Sequence, residues 1–183
     1  LAAIGFIVTF LGISVVDRWR DRVGVRDDVS ALMLASAISV GIGLHNLGEG
    51  LAIGAAYTTG AVALGTFLVI GFTVQNTTEG LAIVAPLSKG KTSVRKLLPH
   101  LLAMGALAGI PTIFGAWVGG FAFSPVWSTL FMAVGAGAIF QVAWQIARLM
   151  GRERHGSLAD GLNAAGLTVG LLIMYGTGLL LVS

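Results

Sequence analysis

The sequence contains one phrase twice: HNLGEGLAIGAA at residues 45–56 returns in altered form as QNTTEGLAIVAP at residues 75–86. Seven of the twelve positions are identical, including the asparagine, the glutamate and the Gly-Leu-Ala-Ile run. Each copy places a side chain able to bind a metal, His45 or Gln75, four residues before a glutamate, Glu49 or Glu79. Because both copies lie in strongly apolar sequence, we expect an ion-binding site within a membrane.

The composition is typical of a membrane protein. Of the 183 residues, 56% are hydrophobic and only 10% are charged, whereas about 25% of the residues in a soluble domain are charged. The 27 glycines suit helices that pack closely in lipid. The sequence has no cysteine, which excludes a small secreted scaffold built on disulfides.

Six apolar segments, A to F, follow one another along the chain. They are residues 1–16, 30–58, 61–86, 97–121, 125–149 and 159–182. Most are long enough to cross a bilayer as helices, which satisfy their own backbone hydrogen bonds in lipid. We therefore predict an all-α, polytopic integral membrane bundle that forms a single transmembrane domain over residues 1–183.

The basic residues divide the connections between segments into two kinds. All eleven Lys and Arg residues lie in or beside the A–B, C–D and E–F connections, and the B–C and D–E turns have none. The positive-inside rule makes the basic face cytoplasmic. We expect a multi-pass protein of the cell membrane (plasma or bacterial inner membrane) with Ser183 outside. The net charge of +3 then reflects topology, and we expect no nucleic-acid partner.

The acidic residues are sorted in the same way. Of the eight, six lie in connections or at segment ends, and only Glu49 and Glu79 lie deep within apolar segments. A carboxylate at the centre of the bilayer costs about 2.5–3.5 kcal/mol on insertion scales. Each of the two therefore needs a compensating partner or a function.

Helical geometry places the polar residues of each copy on one face. The first, second and fifth residues of the phrase lie at about 0°, 100° and 40° around a helix. A three-residue B–C turn, Thr58-Thr59-Gly60, makes the two helices antiparallel, so the stripes can meet midway. Imidazole, carboxylate and carboxamide groups suit zinc, and also iron(II), manganese or cobalt. The metal-site residues that this predicts are His45, Asn46, Glu49, Gln75, Asn76 and Glu79.

Two other interpretations of these residues remain open. The polar stripes can serve only to join helices, as polar side chains do in membranes, in a non-transporting sensor or assembly subunit. The two glutamates can instead relay protons in a proton-linked carrier of a small solute. The sequence contains no phosphate-binding loop, nucleophile triad or nucleotide site, so we expect no enzymatic activity and no cofactor, with the divalent metal as substrate.

The duplicated phrase resembles two helices of the ZIP (Zrt/Irt-like) family of divalent-metal transporters, in its GufA-like bacterial and archaeal type. His-Asn-x-x-Glu-Gly followed by x-Asn-x-x-Glu-Gly is similar to the family's fourth and fifth membrane helices. The resemblance implies metal transport into the cytoplasm, cadmium included, and allows a homodimer. It also implies eight helices, so that segments A to F correspond to helices three to eight and two N-terminal helices are missing. The transport site that it implies consists of His45, Glu49, Gln75 and Glu79, with Asn46 and Asn76 beside it.

Departures from the family pattern affect the expected number of metals. Gly48 and Thr78 stand where the family commonly has proline before each glutamate. Asn76 stands where members with two metals often have an acid, and Ile110-Pro111 stands where they often have a Glu-Pro pair. Because both acids are missing, we expect a mononuclear site.

Segment D also carries signals for helix packing. Its glycines provide small faces that predict close contact with neighbouring helices, and Pro111 predicts a kink of a kind that membrane helices tolerate. These glycines are Gly105, Gly109, Gly115, Gly119 and Gly120.

Overall fold

The computed structural model describes residues 1–22, 27–88, 93–121, 124–151 and 160–180. Within these ranges it contains six α-helices and one 3-10 turn, and no strand. The prediction of an all-α bundle is confirmed. The helices are α1 (Ala2–Arg22), α2 (Asp27–Thr58), α3 (Val62–Val84), α4 (Val94–Phe121), α5 (Pro125–Gly151) and α6 (Gly161–Leu180), and the 3-10 turn Ala85–Leu87 extends α3.

Four of the described helices are long and apolar enough to cross a membrane, which requires about 20 residues. The four spans are Ala31–Thr58, Val62–Leu87, Val94–Phe121 and Pro125–Gly151. The apolar described parts of α1 and α6 are shorter. Large apolar side chains such as Leu102 and Ile113 are exposed on the outside of the bundle, where lipid surrounds them. The protein is therefore embedded in a membrane.

Two helices extend further into charged sequence than hydropathy predicts. α1 continues to Arg22 instead of ending near residue 16, and α2 begins at Asp27. Arg18 lies on the last turns of α1, where its Nε donates to Ser14 O at 3.4 Å. Five of the eleven basic residues lie outside the described ranges, as does Ser183; these five are Arg26, Lys89, Lys91, Arg152 and Arg154.

The turn between α2 and α3 is closed by a glycine. Gly60 has a φ of +78°, which an L side chain adopts only with strain. The Ala61 N–H donates to Ala56 O at 2.9 Å and the Gly60 N–H donates to Tyr57 O at 3.1 Å, which is the Schellman pattern of helix termination. The chain reverses at this point, so residues equally distant from Gly60 on the two helices lie at one level.

α2 and α4 run parallel and pack backbone against backbone. A Cβ atom at Gly50 would collide with the backbone of Thr112. At the end of the pair, Thr58 Oγ1 donates to Gly120 O at 2.8 Å. Small residues allow this approach, and contacts of this kind drive helix association where lipid removes the hydrophobic effect.

The packing prediction for the glycines of α4 is confirmed for one half of the helix. Side chains at Gly115 or Gly119 would collide with the α2 backbone. Gly105 and Gly109 meet no neighbour within 4 Å on the described chain. Pro111 lies inside the continuous helix α4, and its ring is close to Gly43 of α2.

α5 covers another face of α2 and runs antiparallel to it. Gly41 of α2 lies against Val142, and Gly48 of α2 lies against Met132. α1 packs on α5, where Ser14 Oγ donates to Gln141 Oε1 at 2.9 Å. α6 lies beside α3. Helix α2 is thus the centre of the bundle.

The bundle has two chemically different ends. Arg95 and Lys96 at the start of α4 and Arg148 at the end of α5 lie at one end, which we call the basic end. The α2–α3 turn lies at the other, the neutral end. The main apolar core lies in the half of the bundle nearer the basic end. Its buried members are Ala35, Ile38, Ile42, Ile83, Leu87, Met104, Ala108 and Val142.

Candidate metal site

The α2–α3 hairpin brings together four of the polar side chains that the sequence singles out. The ligand-capable atoms of His45, Glu49 and Glu79 all lie within 4.8 Å of one another. His45 Nε2 lies 3.4 Å from Glu49 Oε1 and 3.9 Å from Glu79 Oε1. Gln75 Nε2 lies 3.3 Å from His45 Nε2. The cluster lies about midway along two membrane-spanning helices.

The two glutamates lie at different levels along the helix axis. His45 and Gln75 share a level because each is 15 residues from Gly60. Glu49 follows His45 toward the neutral end, and Glu79 follows Gln75 toward the basic end, because the helices are antiparallel. At 1.5 Å per residue, each glutamate backbone lies about 6 Å from the level of His45, on opposite sides of it. The two carboxylates therefore reach the level of His45 from opposite sides along the bundle.

Glu49 is buried beside the His45 imidazole, whose Nε2 lies 3.4 Å from Glu49 Oε1. The residue is 5% exposed, and neither of its carboxylate oxygens accepts a hydrogen bond from any described residue. Glu79 Oε2 likewise accepts no hydrogen bond from the described residues. Removing a carboxylate from water costs on the order of several kcal/mol unless positive charge compensates for it. The cluster therefore favours a cation.

α5 orients His45 from the opposite side. The His45 ring lies within hydrogen-bonding reach of the Gly135 backbone, and α5 can come this close because Gly135 has no side chain: a Cβ there would lie 3.2 Å from His45 Cα. Histidines that bind metals usually donate their second ring nitrogen to a carbonyl or carboxylate in this way. Sequence reasoning missed Gly135. The only sequence signal is the pair of glycines, Gly135 and Gly137, in the middle of α5.

The two asparagines differ from the other four predicted residues. Asn46 Nδ2 donates to Ala108 O on α4 at 3.0 Å, and the Asn46 side chain also lies within hydrogen-bonding reach of Glu79. Asn46 therefore joins α2 to α4 at the level of the site. Asn76 follows Gln75 on α3, and its buried Oδ1 accepts no hydrogen bond within the described part of the chain.

A cavity of about 360 Å³ lies between α2, α3 and α5. Three of the polar side chains, His45, Glu49 and Gln75, line it. The other lining residues, most of which lie on the neutral side of His45, are Gly48, Ala52, Phe72, Met132, Ala136 and Ile139. On the basic side, the packed apolar core begins at Ile42, one turn before His45. The polar cluster therefore has open space on one side and close-packed side chains on the other.

The donor set of this cluster is one imidazole, two carboxylates and one carboxamide. Nitrogen and oxygen donors of these types bind borderline dications. Comparisons of the chain with protein-family models, with curated proteins and with solved structures found no match. The chemistry of the site is therefore inferred from its own residues and geometry.

Proposed function

We propose that this membrane protein transports divalent transition-metal cations into the cytoplasm through one site formed by His45, Glu49, Gln75 and Glu79. One observation carries the proposal: the ligand atoms of His45, Glu49 and Glu79 lie within 4.8 Å of one another on two membrane-spanning helices. Because the two carboxylates are buried within apolar helices, a bound cation would offset the free-energy cost of burying their charge.

The unpaired oxygens favour this function over a purely structural role. Polar groups that only join helices are expected to satisfy one another, because an unsatisfied buried group costs free energy. Three of the four carboxylate oxygens of Glu49 and Glu79 have no hydrogen-bond donor among the described residues. A dication between the two carboxylates would neutralise both and satisfy these oxygens.

Zinc suits the proposed donor set best. It accepts imidazole nitrogen together with carboxylate oxygen in four-coordinate sites, and the four side chains supply one nitrogen and three oxygens. Iron(II), manganese, cobalt and cadmium are further substrates to test, because N/O sites discriminate weakly among divalent metals. The asparagines at 46 and 76 add no charge, which supports one metal rather than two.

The position of the cavity and the position of the basic residues support inward transport. The positive-inside rule assigns the basic end to the cytoplasm, so most of the cavity lies on the outer side of the site. An ion enters the cavity and exchanges its water ligands for the four side chains. It leaves toward the cytoplasm after the packed apolar residues beyond Ile42 move apart. We place the protein in the plasma or bacterial inner membrane, with the C-terminus outside.

Membership of the ZIP family is part of the proposal. It is supported by the two Asn-x-x-Glu-Gly motifs on adjacent antiparallel helices, with their glutamates directed at a common histidine. A homodimer remains an expectation from that resemblance.

Flux measurements test the transport function. The full-length protein is reconstituted in liposomes, and the uptake of zinc, cadmium, manganese and iron(II) is measured. We expect saturable zinc uptake that falls to background in Glu49→Gln and His45→Ala, because the first change removes a negative charge from the site and the second removes the imidazole ligand. Ser39→Ala is the matched control, since Ser39 is buried on the same helix and bonds only within it, to Ala35 O.

Each alternative gives a different result. Metal uptake that is unchanged in both site variants would exclude the proposed site. Proton movement that does not depend on metal would favour the proton-linked carrier. A correctly folded protein that moves neither would favour a sensor or assembly subunit.

A further inference from the structure

We infer that Gln75 sets the order in which the two glutamates bind the ion, an inference that rests on the transport function proposed above. Glu49 and His45 capture the ion first. Glu79 joins last, when the amide group of Gln75 turns over and exchanges its N–H donor for its carbonyl oxygen.

The first observation is the unequal bonding of the two glutamates. Gln75 Nε2 donates to Glu79 Oε1 at 3.4 Å, and Asn46 also lies within hydrogen-bonding reach of Glu79. A carboxylate only accepts hydrogen bonds, so the part of the Gln75 amide that faces Glu79 is its N–H group. Glu49 has no such donor in the described ranges. One carboxylate is thus held by amides and the other is not.

The second observation is which of the two glutamates lines the cavity. Glu49, with His45, lines the cavity on the neutral side, whereas Glu79 is not among its lining residues. The Glu79 backbone lies toward the basic end, where the apolar core packs. An ion that arrives through the cavity therefore meets Glu49 and His45 before it meets Glu79.

Gln75 presents its N–H group, and not its carbonyl oxygen, to the cluster: Nε2 lies 3.3 Å from His45 Nε2 and 3.4 Å from Glu79 Oε1. A cation among these ligand atoms is repelled by an N–H group that points at it. For Oε1 to bind an ion at that place the amide must rotate, and Nε2 then leaves Glu79. Gln75 also lines a second cavity of about 330 Å³ between α3 and α6, where Gly166 and Gly170 leave room. The amide thus has space on both sides in which to rotate.

Thermal unfolding of the full-length protein in detergent with a chelator tests whether the Gln75 amide stabilises the protein through its hydrogen bond to Glu79. Gln75→Met keeps the length of the side chain but removes the donor, so we expect the midpoint to fall by at least about 3 °C. The fall should persist in a Glu49→Met background and largely disappear in a Glu79→Met background. An equal fall in both backgrounds, or no fall at all, would overturn the inference.

Cobalt(II), followed by its visible absorption in a stopped-flow experiment, tests the order of capture. We expect two phases in the wild-type protein, the second of which is lost in Glu79→Gln while the first remains. Glu49→Gln should lose the first phase. A single phase in the wild-type protein, or equal loss of the first phase in both variants, would overturn the order. Failure of zinc uptake in liposomes alone would contradict the transport function and leave these binding results standing.

Discussion

At the scale of single residues, Glu49 has the least favourable placement in the protein. It lies in the most buried helix, is 5% exposed and receives no hydrogen bond from the described residues. Its polar contact is His45, whose Nε2 is 3.4 Å away. A group with this cost is retained only when something compensates for it, and a dication does so more fully than the imidazole alone.

Glu49→Gln should therefore separate metal binding from folding. We expect the variant to unfold in detergent and chelator at a temperature no lower than the wild type, because the change removes a buried charge. Zinc at about 100 times its Kd should stabilise the wild-type protein by about 2.7 kcal/mol and the variant hardly at all. Thermal unfolding with and without zinc measures both effects, and Ser39→Ala should keep the full zinc response. A full zinc response in Glu49→Gln would refute the role of this carboxylate.

At the scale of elements, the contact between α2 and α4 holds the site in place. Glycines on both helices bring the backbones together on either side of the site level, and Asn46 bonds to Ala108 O between them. This contact fixes the rotation of α2 about its axis. The direction in which His45 and Glu49 point follows from that rotation.

A methyl group at this contact should separate the helices. Gly50→Ala places a Cβ against the Thr112 backbone, which cannot move aside as a side chain does, and we expect a loss of about 1–3 kcal/mol of stability. Zinc affinity should also fall, because Gly50 adjoins Glu49. Gly105→Ala on α4 is the matched control, since that position has open space around it. Equal stability of the two variants, measured by denaturant unfolding, would contradict the packing account.

The sequence predicted the hairpin better than the wider bundle. The repeat spacing and the short turn at Gly60 placed His45 and Gln75 at one level before any contact was known. The parallel pairing of α2 with α4 was not predictable, because the glycines of α4 lie on several faces of that helix. Gly115, Gly119 and Gly120 meet α2, whereas Gly105 and Gly109 have no described neighbour within 4 Å. The support of His45 by Gly135 was missed for the same reason: a backbone contact between distant helices leaves little trace in residue type.

At the scale of the whole molecule, space and close packing lie on opposite sides of the site. The cavity extends toward the neutral end, and the apolar core fills the bundle toward the basic end. In the proposed carrier, this shape would let an ion reach the site from the neutral end while the apolar core blocks its exit. The direction of transport then depends on which end faces the cytoplasm.

Single-cysteine labelling tests the orientation. The sequence contains no cysteine, and two exposed positions mark the ends: Thr59 at the neutral end and Ser93 before α4 at the basic end. We expect a membrane-impermeant maleimide to label Thr59→Cys in intact cells and to label Ser93→Cys only after permeabilisation. The reverse pattern would place the cavity on the cytoplasmic side and contradict inward loading.

The central claim is that His45, Glu49, Gln75 and Glu79 bind one divalent metal ion. Equilibrium dialysis of the purified full-length protein against zinc tests it most directly, with the double variant Glu49→Gln/Glu79→Gln beside the wild type. We expect one zinc ion bound at this site per chain and an affinity at least about tenfold lower in the double variant, since loss of a group that only hydrogen-bonds to a metal ligand already lowers metal affinity about 10–100-fold. Zinc binding of equal stoichiometry and affinity in the two proteins would contradict it.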